Sequence, residues 1–316
     1  MLILITGGSG FIGSYLISSL PSRSLLVCGR VKPPSIEANK FIAFDLANDS
    51  LKVETLANVQ TVVHCAAHVH VMNDSSSDPL IKFRQINTQA TVNLAKQAAA
   101  AGVKRFIFLS SIKVNGESTK AGIPFTSKYS EDPVDSYGLS KYEAELELIQ
   151  ISQYSGMEIV IIRPPLVYGP SVKANFASLM NLVSKGVPLP FGCITQNKRS
   201  LVSVANLVDL IITCIDHPKA ANQVFLVSDD HDVSTSEMVR EMANALGKPA
   251  WQLPIPIWCY KLLGKLFNKS DVVDRLTGSL QVDISHTKQT LDWKPPQTLQ
   301  EGFKQTAQAF LQAKTK

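Results

Sequence analysis

Short apolar runs alternate with longer amphipathic stretches through the first two-thirds of this chain. "LILIT" (2–6), "LLVC" (25–28), "FIAF" (41–44), "TVVHC" (61–65), "RFIFLS" (105–110), "EIVIIR" (158–163) and "QVFLVS" (223–228) are almost continuously hydrophobic. A strand with one wet face alternates apolar and polar residues, so runs without alternation predict strands buried on both faces, as in a parallel sheet covered by helices. Between them "FIGSYLISSL", "VNLAKQAAAAG" and "KYEAELELIQISQYSG" have helical spacing, and the last two close at Gly102 and Gly156. The pattern predicts an α/β protein with a doubly wound parallel sheet. It changes after Arg163, through "PPLVYGP" and "GVPLPFGC" to a tail rich in Pro and Trp from 249 onward. That change predicts a smaller mixed α/β lobe inserted after the sixth and seventh strands. Residues 1–166 with about 200–230 would form the larger domain, and about 167–199 with 231–316 the lobe.

At 316 residues, 45% hydrophobic and 18% charged, the chain can bury one large core and a second small one, and its composition excludes disorder. The net charge of +5 is scattered without a basic run, which argues against a nucleic-acid partner and suits an anionic small molecule. Cys28, Cys65, Cys193, Cys214 and Cys259 are odd in number and contain no C-x-x-C, the usage of reduced thiols in a cytoplasmic protein. The uncharged opening "MLILITGGSGFIGSYLISSL" lacks a basic n-region and is interrupted by Gly7, Gly8 and Gly10. It predicts strand, turn and helix in place of a signal or membrane segment.

That turn is the first chemical signal. "TGGSGFIG" (6–13) places Gly8, Gly10 and Gly13 in G-x-G-x-x-G, and Gly7, Gly10 and Gly13 in the wider G-x-x-G-x-x-G, between a strand and a helix. Glycines there allow the tight turn and a close backbone approach to a pyrophosphate at the helix N-terminus, the Rossmann arrangement for dinucleotides. The second strand ends in "VCGRVK", with Gly29 where an NAD site carries an acid. Arg30, with Lys32 nearby, could take a 2′-phosphate, so NADP(H) is the preferred cofactor and NAD(H) the alternative. In "DSYGLSKYEAE" (135–145), Tyr137 and Lys141 share one face of a helix at i and i+4. A fixed ammonium beside a phenol favours the phenolate, which can move a proton on or off a hydroxyl. His68 and His70 in "HCAAHVHVM" have no acidic or cysteine partner at ligand spacing, so no metal is expected.

These motifs jointly resemble the extended short-chain dehydrogenase/reductase family, the nucleotide-sugar epimerases, dehydratases and ketoreductases, over essentially the whole chain. The resemblance is carried by "TGGSGFIG", "FDLAN", "HCAAH", "SSIKVNGE", "YGLSK", "RPPLVYGP", "RSLVSVANLVD" and "LDWKPPQTLQEG". It implies Ser111, Tyr137 and Lys141 as catalytic residues, with Lys141 lowering the phenol pKa and holding the nicotinamide ribose. It implies a cofactor site of Gly7, Gly10, Phe11, Ile12, Gly13, Arg30, Asp45, Leu46, Ala66, Ala67 and Pro164 together with Tyr137 and Lys141. Asn87 in "RQINTQA" looks like a supporting helix residue. The nucleotide-sugar substrate would meet Arg199 through its diphosphate, with His70, Lys113 and Asn175 as further contacts.

Within the family, "AAHVHVM", "PLPFG" and "RLTGSLQVD" look closest to bacterial enzymes of surface-polysaccharide synthesis. Two departures from UDP-galactose 4-epimerases, Leu166 in place of a substrate-contacting Asn and Gly29–Arg30 in place of the acid, favour a 4-ketoreductase of a UDP-4-keto-6-deoxy-N-acetylhexosamine. The alternative is a UDP-glucose or UDP-N-acetylglucosamine 4-epimerase. Ile112 and Lys113 after Ser111 disfavour a dehydratase, and the intact Ser111, Tyr137 and Lys141 disfavour a non-catalytic sensor or scaffold. A homodimer is compatible with the sequence. In "IPIWCYKLLGKLFNKSD" (255–271), helical spacing sets Trp258, Leu262 and Leu266 on one side and Lys261, Lys265 and Lys269 on another. The preferred expectation is that the apolar side is core; exposed, it would be a peripheral membrane contact.

Overall fold

The computed structural model describes residues 1–69, 78–128 and 132–314. Among the described residues ten strands form two sheets: β1 (Leu2–Thr6), β2 (Ser24–Gly29), β3 (Phe41–Ala43), β4 (Val59–His64), β5 (Arg105–Leu109), β6 (Glu158–Arg163), β7 (Leu166–Tyr168), β8 (Arg199–Ser203), β9 (Gln223–Leu226) and β10 (Asp232–Val233). The larger sheet is parallel throughout, in the order β3-β2-β1-β4-β5-β6-β9. The smaller is mixed, with β8 parallel to β7 and antiparallel to β10. The helices are α1 (Phe11–Ser18), α2 (Val53–Leu56), α3 (Pro79–Phe83), α4 (Ala90–Ala100), α5 (Ser136–Ser155), α6 (Ala174–Ser184), α7 (Val204–Asp216), α8 (Thr235–Ala245), α9 (Ile257–Leu266), α10 (Ser270–Thr277), α11 (Ser285–Leu291) and α12 (Leu299–Lys314).

The unbroken hydrophobicity of the strands has the expected cause. Ile3 and Ile5 pack on one face with Leu16 of α1 and Leu207 and Ile211 of α7, while Leu4 between them packs on the other with Leu94 of α4 and Leu148 of α5. The smaller lobe has its own core, in which Tyr168 stacks on Phe303 of α12 and Phe176 of α6, with Met238 and Met242 of α8 alongside. Strand order reverses between β1 and β4, and in doubly wound sheets ligands bind at the carboxyl ends of the strands at this point.

One buried charge pair ties α5 to the sheet. Arg163, at the end of β6, donates from Nε to Glu145 Oε1 at 3.0 Å and from Nη2 to Oε2 at 2.6 Å, with both side chains inaccessible to solvent. Nη1 donates to Asn115 Oδ1 and to the Ser127 carbonyl, and Ser110 at the end of β5 donates to the Glu145 carboxylate. A fully hydrogen-bonded pair of this kind tolerates burial, whereas removing one member strands the other.

The core expectation for the apolar side of α9 is corrected. Trp258, Leu262, Leu263, Leu266 and Phe267 are exposed. The helix is seated by the opposite side, where buried Gly264 approaches Val273 and Ser270 of α10 and Tyr260 packs against the small-lobe core.

Arg163→Met should destabilise the protein by about 3–5 kcal/mol, because the Glu145 carboxylate then lies in a dry site without its partner. Urea unfolding followed by circular dichroism measures this. An unchanged midpoint would mean that the pair does not hold α5.

Candidate active site

The glycine loop is as tight as its spacing implies. Gly7 has a φ of +72°, and a Cβ on Gly13 would lie 2.2 Å from the Gly7 carbonyl oxygen. Neither position accepts a side chain, so the α1 N-terminus closes directly on β1. A Cβ on Gly7 would also meet the Ala66 amide nitrogen at 2.6 Å, which places the loop after β4 against the glycine turn. Phe11 and Ile12 stand half-buried in the first turn of α1. Ala67 is exposed, Leu46 packs partly against the core, and Pro164 is buried, its carbonyl accepting from the Ile112 amide. Asp45 is held in its own turn, accepting from the Ala47 amide and from Asn48 Nδ2. Arg30 is exposed at the end of β2, and Lys32 donates to the Ile36 carbonyl.

The start of α5 carries Tyr137 and Lys141. Asp135 caps the helix by accepting from the Gly138 amide at 2.8 Å, and a Cβ on Gly138 would sit 2.7 Å from the Lys113 carbonyl oxygen. Only glycine lets this first turn press onto the Ser111 segment. Ser111 is the N-cap of a 3₁₀ turn, Ile112–Val114, and its Oγ accepts from the Lys113 amide. Asn87, buried in a π-helical turn (Arg84–Gln89), holds the His68 backbone through its Oδ1 and Nδ2 and donates to Ser140 Oγ on α5. His68 in turn packs on Phe83, and Phe83 meets the Tyr137 ring edge to face at 5.7 Å.

Lys141 is fully buried, with Nζ 4.0 Å from the centre of the Phe108 ring and no hydrogen-bond partner among the described residues. Burial brings its ammonium down to about 7, against smaller opposing effects of Glu145 and Cys65. Burial and then the Asp135 carboxylate push the Tyr137 phenol up to about 12. His64 is held between Thr6 and Thr91 by hydrogen bonds to both ring nitrogens; burial first, then Lys141, keep it near 3 and hence neutral. The glycine cradle and the orphaned Lys141 ammonium fit a dinucleotide, which brings pyrophosphate oxygens and ribose hydroxyls to such groups.

A cavity of about 800 Å³ opens beside Tyr137. It brings together Tyr137, Lys113 and Arg199, and adds Arg275, Asp271 and Asp274 from α10. Lys113 pairs with Glu117 at 3.0 Å and Asp135 at 3.2 Å. Arg199 donates to the carbonyls of Arg275 and Gly278, and burial and then the neighbouring Arg275 lower its pKa. Sequence reasoning missed Arg275 and Gly138; "RLTGSLQVD" contained the arginine, but only its meeting with Arg199 across the lobe gives it meaning. His70 lies outside the described residues, as does the side chain of Asn175 at the start of α6.

A protein of Vibrio cholerae named UDP-glucose 4-epimerase is 64% identical over 98% of this chain and 96% of its own length. An Escherichia coli O157:H7 protein named N-acetyl-alpha-D-glucosaminyl-diphospho-ditrans,octacis-undecaprenol 4-epimerase is 26% identical over 99% and 96%. The crystal structure of UDP-glucuronic acid 4-epimerase from Bacillus cereus, in complex with UDP-glucuronic acid and NAD, shares the fold at a TM-score of 0.78, with 20% identity over 99% of this chain and all of that one. The Vibrio relative overturns the ketoreductase expectation. The marks that favoured reduction lie away from the cavity beside Tyr137: Leu166 is exposed on β7, Gly29 is half-buried at the end of β2 and Arg30 after it is exposed, and none of them lines that cavity. Residues 3–228 match the NAD dependent epimerase/dehydratase family, and the chain is a member of that family.

Proposed function

We propose that the chain interconverts the C4 epimers of a UDP-linked hexose, with UDP-glucose and UDP-galactose as the pair. The observation that carries this reading is the 64% identity to the Vibrio epimerase along nearly the whole chain. A bound nicotinamide dinucleotide supplies a reversible hydride acceptor for C4. The pyrophosphate would lie on the Gly7–Gly13 turn and the ribose hydroxyls at Lys141, which fits both the cradle and the unpartnered ammonium.

Tyr137 takes the C4 hydroxyl proton and returns it, with the Ser111 hydroxyl holding the same oxygen. Without ligand the phenol is firmly protonated and Lys141 is only partly charged at neutral pH. Hydroxyl partners at Lys141 favour its ammonium, and a full charge one turn from Tyr137 then lowers the phenol. Loading the site thus prepares the base. Arg199 and Arg275 hold the substrate diphosphate, an anion suited to paired guanidiniums. Fixing that end leaves the sugar free to present either face of C4.

A second reading keeps the chemistry and replaces uridine by a polyprenol carrier, as in the name of the Escherichia coli relative. It is favoured by α10, which lines the cavity and is backed by the exposed apolar α9. Turnover of N-acetylglucosaminyl-diphospho-undecaprenol without turnover of UDP-glucose would select it.

The purified enzyme should form UDP-galactose from UDP-glucose without net consumption of reduced cofactor, read by anion-exchange chromatography. Tyr137→Phe should lower the rate by ~10²-fold or more while dinucleotide binding persists, because proton transfer is lost and little binding is. No UDP-galactose from the wild type would remove the proposal.

The finer choice between dinucleotides turns on Arg30. If it takes a 2′-phosphate and confers the NADP(H) preference, Arg30→Asp should shift relative affinity toward NADH by about tenfold. Equal wild-type affinities for NADH and NADPH would end that preference.

Lys141 also makes a stability prediction. Its folded pKa lies near 7, below the ordinary 10.5, so the unfolded chain binds more protons between these values and stability rises with pH across that window. Lys141→Met should be more stable than wild type toward urea at pH 6 without cofactor, by a margin that closes as pH approaches about 10. A margin independent of pH would mean that the ammonium is not desolvated.

A further inference from the structure

Helix α9 presents an apolar surface that the fold leaves uncovered. Trp258 is 66% exposed, Leu262 60%, Leu266 73% and Phe267 66%, and Leu263 beside them is also exposed. Trp258, Leu262 and Leu266 follow at i+4 steps and form one stripe along the helix, with Leu263 and Phe267 adjoining it. Trp251 and Leu253, in the approach to the helix, are exposed as well. Single exposed hydrophobics are ordinary; two tryptophans, a phenylalanine and four leucines within seventeen residues (251–267) are not.

The charges around this surface specify what covers it. Residues 242–269 contain four lysines, Lys248, Lys261, Lys265 and Lys269, and no acidic residue. The last three recur at i+4 steps beside the apolar stripe and are exposed. The acids resume on α10, where Asp271 and Asp274 line the cavity. A second copy of the chain is a poor partner, since a two-fold contact joins a patch to itself and would set lysines against lysines. A surface of anionic headgroups over an apolar interior meets both features, with leucines and aromatic rings entering the acyl boundary and lysines reaching up to phosphates. Among the described residues no helix is long and apolar enough to cross a membrane, so the contact lies in the plane of the interface.

We infer that α9 docks the protein on an anionic bilayer surface, with Trp258, Leu262, Leu266 and Phe267 inserted at the headgroup boundary and Lys261, Lys265 and Lys269 on lipid phosphates. Gly264 seats α9 against Ser270 and Val273 of α10, whose Asp271, Asp274 and Arg275 line the cavity. The docked enzyme therefore carries its substrate cavity one helix away from the membrane. The inference rests on this surface and holds whichever carrier bears the sugar.

The test is flotation of the full chain with phosphatidylcholine vesicles, with and without phosphatidylglycerol, at low and high salt. The expected result is co-flotation with the anionic vesicles at low salt, weakened by salt, and a blue shift of tryptophan emission. Lys261→Glu/Lys265→Glu should weaken partition by about tenfold or more, and Leu262→Ser/Leu266→Ser should abolish it. Both pairs are on the exposed side of α9, so thermal unfolding and UDP-glucose turnover should match the wild type and show that the fold is intact. Failure to float with anionic vesicles at low salt overturns the inference, as does flotation that the substitutions leave unchanged. A mass doubling in light scattering that Leu262→Ser/Leu266→Ser abolishes, without vesicle binding, would assign the face to a second copy instead.

Discussion

The site depends on the closed ion pair of Glu145 and Arg163. Tyr137, Lys141 and Glu145 lie at i+4 steps on one face of α5, the face turned to the carboxyl ends of β5 and β6. Glu145 is fixed there by the Arg163 guanidinium and the Ser110 hydroxyl, both at strand ends. A helix clamped at one point of a face has its rotation and its height set for the rest of that face. The clamp therefore determines where the phenol and the ammonium stand relative to the Ser111 segment. The capped start at Asp135 and the close approach of Gly138 to Lys113 set the other end. Between two satisfied ends lies Lys141, dry and unpartnered. The fold carries its cost because its neighbours over-determine the position.

A second polar cluster does for the small lobe what the ion pair does for α5. Buried Asp229 accepts from the Tyr168 hydroxyl, the Ser203 amide and Asn206 Nδ2, and Asn206 also bonds to the backbone of Gln297. Trp293 donates to Asp209 of α7 at 2.7 Å. β7, α7 and the C-terminal tail are thus joined through hydrogen bonds that have a fixed geometry, where apolar packing alone would allow sliding. Arg199 on β8 is positioned by the same lobe.

The parallel sheet was legible because burial on both faces leaves a sequence record: Ile3, Leu4 and Ile5 all need apolar surroundings, so no polar residue interrupts them. The glycine turn and the Tyr137–Lys141 spacing were legible because each is a local geometric demand. The short strands β7, β8 and β10 left no such record, being two to five residues long and stabilised across the lobe. Arg275 gains its meaning only from Arg199, a neighbour in space and not in sequence. For α9 the periodicity told which residues share a side and could not tell whether that side is covered. Leu166 and Gly29–Arg30 gave no reliable sign of reduction over epimerisation for a related reason: none of them lines the cavity beside Tyr137.

Reduction and epimerisation at C4 both move a proton at the C4 oxygen, so on the proposed reading the difference between them lies in how the sugar is held. An epimerase must keep the sugar bound while its ring turns, which asks for strong contacts at the far end and few at the reacting one. The cavity has that asymmetry. Arg199 and Arg275 gather at the lobe, while Lys113 near Tyr137 is already engaged by Glu117 and Asp135. An engaged lysine offers the sugar a weaker grip than a free one, because each hydrogen bond to substrate competes with an existing ion pair. On the proposed reading, the binding energy is concentrated on the diphosphate, and the hexose is left the freedom that inversion at C4 requires.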